Sequence, residues 1–216
     1  MLDADYPDPL RTYKALELLV ERRSANFSWL ASYTWSESWG NYTGIYSSDG
    51  KAPNPNTAFA FDVPDMMIDA EGRLPNDRTH VFKASGYYLF DFGLNLGASI
   101  LWESGAPLNE LGGSAYGPPW WTFLQPRGTA GESPSIFDLS LRLDYTFFAR
   151  SDRRWKPRLI LDVYHLFSDE RPVDYDQFHY YNQDADGNQI DPNPNYGEPI
   201  RYYPPTTVRL GLEMSF

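Results

Sequence analysis

There is no cysteine in the 216 residues, which excludes thiolate chemistry and disulfide staples and leaves the compartment open. Nor does any run approach the roughly 20 apolar residues that a membrane helix requires. Basic residues are scarce: 18 Lys and Arg stand against 29 Asp and Glu, a formal charge of −11. That balance argues against nucleic acid as a partner, since phosphate backbones call for clustered cations. Met1-Leu2-Asp3-Ala4-Asp5 has neither a basic n-region nor an apolar h-region, so no signal peptide is expected here and export would depend on one upstream. His80, His165 and His179 are scattered, with no HExxH, nucleophile elbow or phosphate-binding glycine loop. A carboxylate pair for hydrolysis stays open, but no spacing places one.

Alternation is what the chain has instead. In the last ten residues Val208, Leu210, Leu212, Met214 and Phe216 point one way and Arg209, Gly211, Glu213 and Ser215 the other, a period of two that predicts a strand. The same pattern recurs with Phe27, Trp29, Ala31, Tyr33 and Trp35 against Ser28, Leu30, Ser32, Thr34 and Ser36. It recurs again over residues 80–89, 94–103, 136–147 and 157–167, the last with His165 grouped with Leu159, Leu161 and Val163. Residues 13–23 alternate too, although their Ala, Leu and Glu content also suits a helix. The short junction to the next segment favours a hairpin.

Seven strands are therefore expected, and their connections alternate short and long. The long ones cover 40–76, 105–133 and 168–205 and are rich in Gly, Pro, Asn and Ser. Loops beyond about 12–15 residues are uncommon in compact soluble domains. With antiparallel neighbours, every long loop falls at one rim and every short turn at the other. That asymmetry predicts an all-β fold: the antiparallel portion of a transmembrane β-barrel, with short periplasmic turns and long extracellular loops. The aromatics Tyr33, Trp35, Trp102, Tyr145, Phe147 and Phe216 would form interfacial belts, and charged residues on the polar faces would pair across the wall.

Two groups of loop residues are candidate sites. Trp120, Trp121, Tyr175, Tyr180, Tyr181, Tyr202 and Tyr203 either contact a ligand, stacking on sugars or peptides, or pack the loops over the barrel mouth. Asp184, Asp186, Asn188 and Asp191 alternate around Gly187, and such a spacing either wraps Ca²⁺ or forms a solvated polar turn. Residues 184–191 lack the glutamate that completes a full calcium loop, Asn195 standing in that place.

Several segments carry a likeness to a known family: Tyr13-Lys14-Ala15-Leu16-Glu17, Leu30-Ala31-Ser32-Tyr33-Thr34-Trp35-Ser36, Leu74-Pro75-Asn76-Asp77-Arg78, Asp162-Val163-Tyr164-His165-Leu166-Phe167 and the terminal Phe216. Across its length, 1–216, the chain resembles the C-terminal part of the β-barrel of a TonB-dependent outer-membrane receptor, particularly the Oar-like group. The resemblance implies a bacterial outer-membrane location and a barrel of about 22 strands with a plugged lumen. It implies an upstream barrel and plug portion, on the same polypeptide or a separate chain, and a link through it to the TonB complex. It also implies lipid contact and a final strand whose terminal Phe216 is read by the barrel-assembly machinery. The expected role is non-enzymatic, namely receptor-mediated uptake of an unidentified ligand. The alternatives are a structural subunit or scaffold of an outer-membrane assembly, an outer-membrane enzyme, and a soluble all-β domain.

Overall fold

The computed structural model describes residues 6–44, 49, 61–168 and 170–215; Phe216 and much of the 40–76 loop lie outside them. Seven long strands run antiparallel in sequence order: β1 (Arg11–Arg23), β2 (Phe27–Gly40), β4 (His80–Leu89), β5 (Leu94–Glu103), β8 (Ile136–Thr146), β9 (Lys156–Leu166) and β14 (Thr207–Ser215). The two-residue β3 (Gly72–Arg73) pairs with the far end of β2. β1 is extended throughout, from Arg11 opposite Gly40 to Arg23 opposite Ser28. Its helix-favouring composition is overruled by thirteen residues of continuous pairing.

The register places the aromatics of the apolar face in two rows. Near the long-loop end, Tyr33, Phe82, Trp102 and Phe137 lie opposite one another in turn. Near the short-turn end, Phe27 lies opposite Tyr88, their rings stacked at 6.4 Å, with Tyr145 and Phe147 in edge contact at 4.9 Å. Six residues separate Tyr33 from Phe27 along β2, about 20 Å of strand. Between the rows the apolar face carries Ala31, Ala84, Ile100, Leu139, Leu141, Leu161 and Val163. On β1 the same face presents Leu16, Leu18 and Val20, bounded by Lys14 and Arg22. Much of this face is open, most of all on the two edge strands, where Leu16, Leu18 and Val20 are exposed and Leu210 and Leu212 are 73% and 75% exposed.

The opposite face is polar, and its charges are organised. Glu213, Arg158, Asp144, Arg142, Asp162 and Arg209 form an alternating chain across β14, β9 and β8. Arg158 grips both oxygens of Asp144 at 2.9 Å, and Asp162 Oδ2 accepts from Arg209 Nη2 at 2.7 Å. Ion pairing across the wall therefore holds for these residues.

One expectation of strict alternation fails. Two steps along β8, from Leu139 to Leu141, are matched by three along β9, from Leu166 to Val163. The extra residue makes a β-bulge, with His165 at φ 54°. A bulge re-aims the side chain it carries. His165 consequently leaves the face of Leu159, Leu161 and Val163, and its Nδ1 meets Asp138 Oδ2 on the polar face.

The long connections are not featureless. Residues 105–133 contain the hairpin β6 (Leu111–Gly113) with β7 (Trp121–Phe123). Residues 168–205 contain two nested pairs, β10 (Pro172–Tyr175) with β13 (Pro199–Tyr202) and β11 (Tyr180–Gln183) with β12 (Gln189–Pro192).

Candidate ligand-binding site

The described parts of the three long loops interlock into one layer with a hydrophobic core of its own. Val63, Met66, Ala70, Leu111, Trp121 and Phe123 are buried together, with Met67, Trp120 and Phe178 packed against them. Polar clamps join the loops around this core. Asp65 accepts from Ser114 Oγ and Ala115 N, fastening the first loop to the second. Arg127 donates to Asp49 Oδ2 at 2.8 Å and to Ala70 O at 2.6 Å, its guanidinium lying 4.5 Å from the Phe123 ring centroid. Asn109 Nδ2 also donates to Asp49, at 2.8 Å. Burial pushes the Asp49 carboxyl up from its ordinary range, while the guanidinium and the amide pull against it. Burial likewise lowers Arg127, opposed by Asp49.

The second and third loops meet backbone to backbone. The Gln189 side-chain amide accepts from Gly113 N at 2.8 Å and donates to Gly113 O at 3.0 Å, taking the part of a paired strand. A Cβ on Gly113 would sit 2.3 Å from the Asn182 carbonyl carbon, so only glycine allows this approach. His179 N donates to Leu111 O at 2.7 Å. The His179 ring is stacked between Tyr180 and Tyr196, each at 4.3 Å, and its Nδ1 lies 2.5 Å from Glu110 Oε1. Burial, and then the charge of Glu110, push the Tyr196 phenol upward.

Where these loops join they leave a cavity of about 170 Å³ lined by Gly112, Pro118, Pro119, Trp120, Trp121, Phe178, Tyr180, Tyr181 and Asn182. Four of the seven aromatic candidates thus surround one pocket. Trp121, at 4% exposed, belongs to the layer's core as well as to the pocket wall. The indole Nε1–H of Trp120 and that of Trp121 are buried without an acceptor among the described residues.

The other three candidates lie elsewhere. Tyr175 pairs with Pro199, and Tyr202 lies opposite Pro172 on β13 and is exposed. Tyr203 turns to the wall, where its hydroxyl donates to Asp138 Oδ2 at 2.9 Å and its ring meets that of His165 edge-on at 5.5 Å. Burial, helped by the Asp138 carboxylate, pushes its phenol up to about 12. Phe178 and Asn182 complete the pocket, and the aromatic run ending at Tyr181 was the sequence signal for the first.

In the acidic turn, Asp184 Oδ1 accepts from the backbone of Asp186 at 3.0 Å and of Asn188 at 2.8 Å, and its Oδ2 accepts from Asn188 Nδ2 at 3.0 Å. The Asn188 hydrogen bonds hold this carboxyl below its ordinary value. Asp191 accepts from Asn182 Nδ2. A cation coordinated by these four residues has to replace those hydrogen bonds. Among the described residues no group of three or more His, Cys, Asp or Glu is arranged to hold a metal.

With this geometry in view, comparison with known proteins gives one relationship. The chain is similar to the TonB-dependent transporter Oar of Myxococcus xanthus. It is 27% identical over an alignment of 253 positions, which covers 98% of this chain and 23% of that protein. The chain thus spans about a quarter of the length of the curated relative it matches, and the relationship is distant. No family model matches the chain, and no solved structure matches it.

Proposed function

We propose that this chain forms part of the wall of an outer-membrane TonB-dependent transporter, and that its three long loops face outward and capture the ligand. The observation that carries the reading is the complete segregation of the connections. All the long ones leave the sheet at the same rim, their described parts folded into one layer, while the shorter connections 24–26, 90–93 and 147–155 lie at the other. Membrane barrels have this asymmetry. The face of aliphatics between two aromatic rows, with Lys14 and Arg22 at its margins on β1, is the surface such a barrel turns to lipid. The distant similarity to Oar supports a transporter-related role and an outer-membrane location.

A sheet of this kind is stable in lipid only when its edges are paired. Among the described residues β1 pairs with β2 alone on one side, and β14 with β9 alone on the other. The remaining strands and a plug are therefore assigned to another portion of the same polypeptide or to a partner chain, through which the TonB complex acts. Binding and gated passage need no covalent step.

Edge cross-linking tests this. Photo-reactive residues placed at Leu18 and at Leu212 in the native outer membrane should each capture a β-strand of the same barrel. Capture of strands from a barrel that contains a plug is the expected result. A plugless barrel points to the scaffold role instead, and recovery of the chain from the soluble fraction refutes the membrane reading altogether.

A further inference from the structure

The loop-layer pocket has a chemical character that a general capture role leaves open. Its volume, about 170 Å³, is close to the roughly 150 Å³ cavity that takes up one benzene molecule. It therefore suits a single six-membered ring and is too small for a bulky chelate. Trp120, Trp121, Phe178, Tyr180 and Tyr181 supply ring surfaces, and Asn182 supplies an amide. Among the described residues no Lys, Arg, Asp or Glu lines it, so a charged group entering it meets no counter-ion there and loses its hydration.

The two indoles narrow the choice further. A buried tryptophan N–H normally finds an acceptor, and here two adjacent ones have none among the described residues. An aromatic or aliphatic occupant leaves both donors unsatisfied. A saturated ring that carries oxygens covers the aromatic walls with its C–H face and offers acceptors to the donors.

We infer that this pocket binds a neutral pyranose residue, with Trp120 and Trp121 Nε1–H donating to its oxygens. The inference rests on the ligand-capturing role proposed above for the loop layer. Both residues line the pocket and both nitrogens are buried, so binding requires an adjustment of the Trp120-Trp121 segment that exposes the N–H groups to the occupant and changes tryptophan emission.

The test is titration of the chain within its native outer-membrane barrel, purified in detergent, with methyl glucopyranosides and methyl galactopyranosides, followed by emission and calorimetry. Cyclohexylmethanol and a short proline-rich peptide serve as competing probes. The expected result is saturable binding of at least one glycoside and weaker or no binding of the other probes. Trp120→Phe and Trp121→Phe, which keep a ring and remove the N–H, should each weaken glycoside binding about two- to tenfold, the worth of one hydrogen bond. Trp155→Phe, in the turn at the other rim, should leave it unchanged. Unaltered heat-dependent electrophoretic mobility confirms that each variant is folded.

The inference is overturned if no glycoside saturates, if cyclohexylmethanol or the peptide binds as tightly, or if both N–H variants bind like the parent. Glycoside binding in a chain that proves not to reside in the outer membrane removes the transport reading and keeps this one. Outer-membrane uptake without glycoside binding does the reverse.

Discussion

Replacing Arg127 with methionine probes how the loop layer is held over the sheet. The Arg127 side chain is 3% exposed and that of Asp49 1%, so the substitution strands a carboxylate in a dry site whose other ligand is the amide of Asn109. Removing one partner of a buried pair costs about 3–5 kcal/mol. Replacing both removes the stranded charge, so Asp49→Asn with Arg127→Met should recover more than half of that loss. The coupling between the two sites should then be about 2 kcal/mol or more, within the range for contacting residues. Without the guanidinium, burial raises the carboxyl's pKa in the folded state. Stability of Arg127→Met is thus fullest below the ordinary carboxylate range and declines as pH rises through the raised value. Of the seven tryptophans only Trp120 and Trp121 belong to this layer's core, so with Trp29, Trp35, Trp39, Trp102 and Trp155 replaced by phenylalanine, urea unfolding followed by tryptophan emission reads the loops, and the wall is read separately by heat-dependent mobility. Additive single and double variants, or a stability that increases with pH in Arg127→Met, would refute the reasoning.

Other consequences are equally direct. Gly113→Ala forces a Cβ into the Asn182 backbone at 2.3 Å; it should cost about 1–3 kcal/mol and shift tryptophan emission to the red as the two loops part. Tyr203 keeps its proton to about pH 12, so its stabilising effect is full below pH ~10 and is lost as pH rises through the folded value. The tyrosinate difference spectrum of the parent minus that of Tyr203→Phe should show this late titration. Asp184→Ala removes the acceptor of the β11–β12 turn and should speed amide exchange at Asp186 and Asn188. The same exchange measurement with added Ca²⁺ reads whether the cation replaces those bonds.

The long strands were legible because a period of two persists over nine or more residues in each, enough for the pattern to set the register of its neighbours. His165 escaped because a single inserted residue leaves the local composition unchanged while shifting the alternation beyond Val163. The short strands within the loops escaped for a different reason. Leu111-Gly112-Gly113 is too brief to show a period; it pairs with Trp121–Phe123, and Gln189 adds its hydrogen bonds from 76 residues away. Asp49 and Arg127 are 78 residues apart, and no local signal joins them. The aromatic candidates shared one signal, large rings in long loops, which cannot distinguish those that converge, such as Trp120 and Tyr181, from Tyr203, whose hydroxyl is fastened to Asp138. The unsatisfied indole donors exist only in three dimensions.

The central claim is that long loops and short turns lie on opposite sides of an outer membrane. Because the chain has no cysteine, single cysteines can be placed at Tyr181 and Ile190 in the loops, and at Asp91 and Arg153 in the turns, without background. Treating intact cells with a membrane-impermeant maleimide tests it most directly. The account predicts labelling at Tyr181→Cys and Ile190→Cys, and none at Asp91→Cys or Arg153→Cys until the outer membrane is permeabilised. Labelling of the turn positions in intact cells, or equal labelling at both rims, would contradict it.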